Sequence, residues 1–100
     1  MTDGTSTLDI WFASLLSYLG YELAQVRIID EKRAEWIFVC PSEDGKLIRE
    51  SYDKAENGGE TIFAKTFVQH FNTLSRQQRD LRRRNETEWV GPAWISGKVR

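Results

Sequence analysis

The sequence predicts an α+β fold: an antiparallel β-hairpin, open to a third strand, packed against an N-terminal helix and a long C-terminal amphipathic helix. Three observations carry this. Two runs rich in β-branched and aromatic residues, Tyr21–Asp30 and Ala34–Cys40, lie either side of the charged connection Asp30-Glu31-Lys32-Arg33. Phe63, Phe67, Phe71, Leu74, Gln78 and Leu81 follow one another at steps of three and four, which is one stripe of a helix. Leu8 to Leu19 is apolar at helical spacing and stops at Gly20.

Each element has its own local reason. Residues 1–7 are polar and read as a disordered N-terminus. Ser6-Thr7-Leu8-Asp9 fits a capping box, in which the Ser6 hydroxyl accepts from the Asp9 amide and Asp9 reaches back. In the helix that follows, Leu8, Trp11, Phe12, Leu15, Leu16, Tyr18 and Leu19 share one broad face. Ala13, Ser14 and Ser17 lie opposite, either toward solvent, the favoured reading, or against a closely approaching backbone. In the hairpin, Val26 and Ile28 share a face with Trp36, Phe38 and Cys40 and point at the first helix. Ile29, Ile37 and Val39 face the other way, so the second sheet face needs some cover too.

Pro41 lacks an amide donor and ends the second strand. Two readings of the next stretch stand. Asp44-Gly45 is a hairpin signal that would make Lys46–Tyr52 a third strand. Alternatively Ser42 caps a short helix with Leu47, Ile48, Ser51, Tyr52 and Ala55 on its apolar side. The acidic residues directly after Ser42 suit a helix N-terminus and favour the helix. Asn57-Gly58-Gly59 is a break, Glu60–Phe63 has the makings of a short strand, and a long helix runs over residues 64–84. The chain thus divides into the N-terminus, one α+β domain over residues 8–84, and an aromatic tail over 85–100.

The opening segment Asp9-Ile10-Trp11-Phe12-Ala13-Ser14-Leu15-Leu16 through Gly20 resembles that of a small family of uncharacterised bacterial and phage domains, which reads Asp-x-aromatic-x-Ala-Ser-x-Leu. The order of elements over residues 8–82 is similar as well. The resemblance implies the fold and a bacterial or phage setting. That family has no assigned activity, so no catalytic or binding residue is implied, and the aromatic tail after Asn85 departs from its pattern.

Composition narrows the class of function. At 40% apolar and 29% charged residues the chain is that of an ordinary globular domain. One cysteine, Cys40, forms no intrachain disulfide and no multi-cysteine zinc cluster, and a free thiol suits a reducing cytoplasm. The N-terminus has neither the basic start nor the apolar core of a signal peptide, and the apolar runs are too short to span a membrane. With no secretion signal expected, Asn85-Glu86-Thr87 is read as a chance match to the glycosylation pattern. The net charge of −1 conceals an acidic front, −6 over residues 1–60, and a basic back, +5 over residues 61–100. Such asymmetry suits an anionic partner or head-to-tail self-association.

Two signals stand out as candidate sites. The first is the run Arg76-Gln77-Gln78-Arg79-Asp80-Leu81-Arg82-Arg83-Arg84. On a helix, Lys65, Asn72, Arg76, Arg79 and Arg83 line up opposite the phenylalanine stripe, leaving a basic ridge in water. Guanidinium groups bind phosphates bidentately, so the nucleic-acid-binding candidates are Lys65, Arg76, Arg79, Arg82, Arg83 and Arg84. The plainer reading is a solvated helix face with cations near its C-terminus; an acidic protein surface is a further possible partner. The second signal is Trp89 and Trp94 around Gly91-Pro92, which either fold back onto the domain or insert into a partner protein or a second copy of the chain.

Nothing else gathers into chemistry. His70 is the single histidine, lies by the phenylalanine stripe, and lacks ligand-spaced companions, so neither a metal nor any other cofactor is expected. A Cys40–His70 nucleophilic pair would need an accessible thiol, whereas Cys40 points inward. Gly58-Gly59 lacks the lysine and hydroxyl that complete a phosphate loop, and the carboxylates are scattered. The expected role is therefore a non-enzymatic, cytoplasmic binding module that uses the arginine helix. The alternative is a regulatory protein that contacts another protein through the acidic front or the tryptophan tail.

Overall fold

The computed structural model describes residues 4–54 and 65–95, with side chains over 4–53 and 68–94. Its elements run β1 (Thr5–Thr7), α1 (Ile10–Tyr18), β2 (Leu23–Ile28), β3 (Ala34–Phe38), α2 (Ser42–Lys54), α3 (Lys65–Arg83), β4 (Glu88–Val90) and α4 (Pro92–Ile95). The strands form one antiparallel sheet in the order β1-β3-β2-β4, so the fold is α+β as the sequence predicts. The expected turn at Asn57-Gly58-Gly59, the strand at Glu60–Phe63, and the contacts of Ala55, Phe63 and Phe67 lie outside the described residues.

The hairpin forms the centre of the sheet. Val26 pairs with Trp36 and Ile28 with Ala34, and a bulge at Ala24 shifts the register between Leu23 and Gln25. Trp36, Phe38, Cys40 and Val26 are buried with Phe12, Leu15 and Leu16 of α1 and with Leu74 and Leu81 of α3. The opposite sheet face is covered at one end by α4, where Ala93 and Trp94 pack with Ala24, Ile37 and Val39. Farther along it, Arg27 pairs with Glu35 at 3.2 Å and stands opposite Glu88, a polar ladder that tolerates water.

The N-terminal end departs from the sequence expectation, whereas the tail takes the fold-back one of its two readings. Thr5–Thr7 is an edge strand against β3 and not part of a disordered terminus, held in part by the Thr5 hydroxyl donating to the Cys40 carbonyl at 2.8 Å. Glu88–Val90 is the other edge strand, against β2, and α4 (Pro92–Ile95) then packs on the sheet face, so the tail folds back onto the domain. Neither strand exceeds three residues, and partners far away in sequence hold both in place.

Helix ends are set by local chemistry. Asp9, not Ser6, caps α1: its Oδ1 accepts from the Trp11 amide at 2.9 Å, while its own amide donates to Thr7 Oγ1. Gly20, at φ 98, ends α1 with the paired bonds Gly20 N to Ser17 O and Tyr21 N to Leu16 O. Asn85, at φ 58, ends α3 with the same pair, Asn85 N to Arg82 O and Glu86 N to Leu81 O. The Ser42–Tyr52 stretch is helix, as the acidic first turn favours; Gly45 N closes that turn onto Pro41 O.

The buried side of α1 also differs from expectation. Ala13 and Ser14 are fully buried, whereas Leu8, Trp11, Tyr18 and Leu19 keep 37–51% of their surface exposed. The helix is wedged between the sheet and α3, so its small residues admit close neighbours; the Ser14 hydroxyl satisfies itself on the Ile10 carbonyl at 2.7 Å. At the α1–α3 contact Trp11 stacks on Phe71 with ring centres 4.3 Å apart. His70 meets Tyr18 edge-on and shares a 2.7 Å hydrogen bond with Ser17.

Candidate nucleic-acid interface

The arginine run occupies the C-terminal half of α3, and its side chains divide by what they touch. Leu74 and Leu81 anchor one side of the helix in the core, at 3% and 5% exposure. Arg76, Arg79 and Arg83 project from the other side and, with Asp80, line one shallow depression on the surface. Arg83 is ion-paired with Asp80. The side chains of Arg76, Arg79 and Arg84 are exposed and meet no carboxylate or hydrogen-bond partner among the described residues. Lys65 is the first residue of α3, and its side chain lies outside the described ones.

Arg82 behaves differently. Its Nη1 donates to the Asp30 carbonyl at 2.6 Å and its Nη2 to the Arg33 carbonyl at 3.2 Å, so it joins the last turn of α3 to the β2–β3 connection. That connection has its own order. Asp30 Oδ1 accepts from the amides of Lys32 and Arg33, each at 2.8 Å, and Oδ2 accepts from Arg33 Nε at 2.8 Å. The Lys32 amide and the Arg33 guanidinium hold the Asp30 carboxyl below its ordinary range. No sequence signal identifies this junction, because the acceptors are main-chain carbonyls 49 and 52 residues upstream.

The other candidates are built into the structure. Trp89 packs against the main core and Trp94 against the smaller cluster beneath α4, so both rings are half-buried within the chain. Cys40 is fully buried and its thiol faces the Pro41 carbonyl, while the His70 ring is engaged by Ser17. A groove between β1 and the start of α2 is lined by Thr5, Ser6, Asp9, Lys46 and Arg49 among others. Its most basic group is already committed: Arg49 lies over the rings of Phe12 and Tyr52 and pairs with Asp9 and Asp53. Among the described residues no three His, Cys, Asp or Glu side chains gather to hold a metal ion, and no helix is long and apolar enough to cross a membrane.

No protein-family model matches the chain, and neither a curated protein nor a solved structure matches it. The function therefore has to be read from this geometry.

Proposed function

We propose that the protein is a non-enzymatic module that binds nucleic acid through the outer face of α3. The observation that carries this is the state of its cations: Arg76 and Arg79 stand exposed on a helix whose other side is locked into the core, and no described carboxylate neutralises them. Two exposed guanidinium groups on a fixed helix face, beside the Asp80-paired Arg83, suit a polyphosphate backbone, which rewards displacement of condensed counterions. Asp80 tempers the row and counts against indiscriminate anion binding. A cytoplasmic setting and a bacterial or phage source, as the opening segment suggests, belong to the same reading. The competing role of Trp89 and Trp94 as partner-seeking anchors loses support, since each ring packs inside the chain.

The test is fluorescence anisotropy with labelled oligonucleotides. Arg76→Glu, Arg79→Glu and Arg83→Glu combined should weaken binding at least tenfold while the circular dichroism of the domain is retained. Unchanged affinity in that variant, or no oligonucleotide binding by the parent chain, removes the reading.

A further inference from the structure

Resting on that reading, we infer that Asp80 is a positioning residue of the same face: it holds Arg83 back from the ligand, and so sets how tightly and how salt-dependently the face binds phosphate.

The helix puts Asp80 where it can do this. It follows Arg76 by four residues and precedes Arg83 by three and Arg84 by four. Residues three or four apart are neighbours on a helix surface, so all three arginines are within its reach. The structure pairs it with Arg83. The Asp80 side chain is 35% exposed and that of Arg83 is 77% exposed. Leu81, next in the chain, is buried in the core and fixes this turn of α3. The short carboxylate thus keeps its place on the helix flank, and the long arginine side chain turns back to it. Arg76, Arg79, Asp80 and Arg83 line one depression, in which Asp80 is the acidic member among the described residues. Three arginines against one aspartate leave +2 there, and +3 without the carboxylate.

Exposed ion pairs are weak, so a phosphate can open this one. Doing so strands the carboxylate beside an anionic ligand. A condensed cation released from the phosphate is then taken up by the freed carboxylate, and Arg83 adds less than a full cation to the salt dependence. Arg76 and Arg79 meet no such penalty, since both are exposed and meet no carboxylate among the described residues. The face therefore has two cations ready and a third in reserve.

The experiment measures binding of a labelled oligonucleotide over a salt series. It compares the parent chain with Asp80→Asn, Asp80→Glu, Arg83→Gln and the double variant Asp80→Asn/Arg83→Gln. Asparagine matches aspartate in shape, and the bond from Arg84 N to Asp80 O is main-chain, so the fold is kept; circular dichroism checks this. Asp80→Asn should tighten binding by roughly threefold to tenfold at low salt and steepen the slope of log K against log salt by about one-half to one. Asp80→Glu keeps a carboxylate within reach of Arg83 and should match the parent. In the Arg83→Gln background, Asp80→Asn should no longer steepen the slope. Three results overturn the inference: an Asp80→Asn variant with the parent's affinity or slope, a steepening that persists without Arg83, or an Asp80→Glu variant that behaves like Asp80→Asn. If the triple α3 variant still loses binding in any of those cases, the α3 reading survives alone. If that variant binds normally, or the parent binds no oligonucleotide, both fall. Polyglutamate that outcompetes the oligonucleotide assigns the face to an acidic protein and also overturns both.

Discussion

Arginines 82 and 76 lie six residues apart on one helix yet do different work. Arg82 bonds to two carbonyls of the hairpin connection, whereas Arg76 extends into solvent. Arg82→Ala should therefore destabilise the fold by about 1–2 kcal/mol, since charged donors to a partly exposed backbone lie at the lower end of their range. Arg76→Ala and Arg79→Ala should each stay within about 0.5 kcal/mol of the parent. Urea denaturation separates the two outcomes, and equal effects at all three positions would contradict the assignment. Asp30 adds a pH dependence. Its folded carboxyl is held below the unfolded value, so its contribution is present above the unfolded value and is lost as the pH falls through the folded one. Asp30→Ala should then cost most near neutral pH. The gap in Tm between variant and parent should narrow as the medium is acidified, and a gap constant with pH would speak against the turn as described. Gly45 is a third case: a Cβ there would stand 2.6 Å from Thr5 Cγ2 and nearer still to its Oγ1, whose bond to Cys40 O holds it in place. Alanine gains about 1 kcal/mol in helix propensity. The overpacking costs about 1–3 kcal/mol, so Gly45→Ala should lower the urea midpoint; a raised midpoint would mean that β1 moves aside freely.

Among the elements, those with a long period of their own were legible in the sequence. The hairpin announced itself by alternation and α3 by its phenylalanine and leucine stripe, whereas α2 was legible only as the favoured of two readings, through the acidic residues after Ser42. Edge strands β1 and β4 were not legible. Three residues hold too little pattern to read, and both strands exist through pairing with β3 and β2. The buried side of α1 was misread for a related reason. Hydrophobicity alone favours Trp11 and Leu19 as core, but a helix pressed between a sheet and another helix buries the small residues that allow the approach, Ala13 and Ser14. The tail's place in the sheet has a direct consequence. A chain ending at Arg84 loses β4, the Trp89 ring, buried Ala93 and the bonds from Asn85 and Glu86 that end α3. A domain of this size is stable by only about 5–10 kcal/mol, so this truncation should abolish the cooperative thermal transition. A truncated chain that melts within a few degrees of the full one would show the tail to be dispensable.

For the molecule as a whole, the basic part of the sequence gathers in part on one helix face, where Arg76, Arg79 and Arg83 line a depression with Asp80. The basic ridge was legible because helical period alone sets Arg76, Arg79 and Arg83 on one line. The docking of the hairpin tip on α3 was not, because it depends on a side chain meeting main-chain oxygens from a distant segment. The central claim is that this surface exchanges counterions with a phosphate backbone, and the most direct measurement is the salt dependence of oligonucleotide binding by the intact chain. Arg76 and Arg79, with a partial contribution from the Asp80-paired Arg83, each replacing about one condensed cation, predict a slope of log K against log salt of about −2 to −3. A slope near zero, or an affinity that does not change between low and physiological salt, would contradict it.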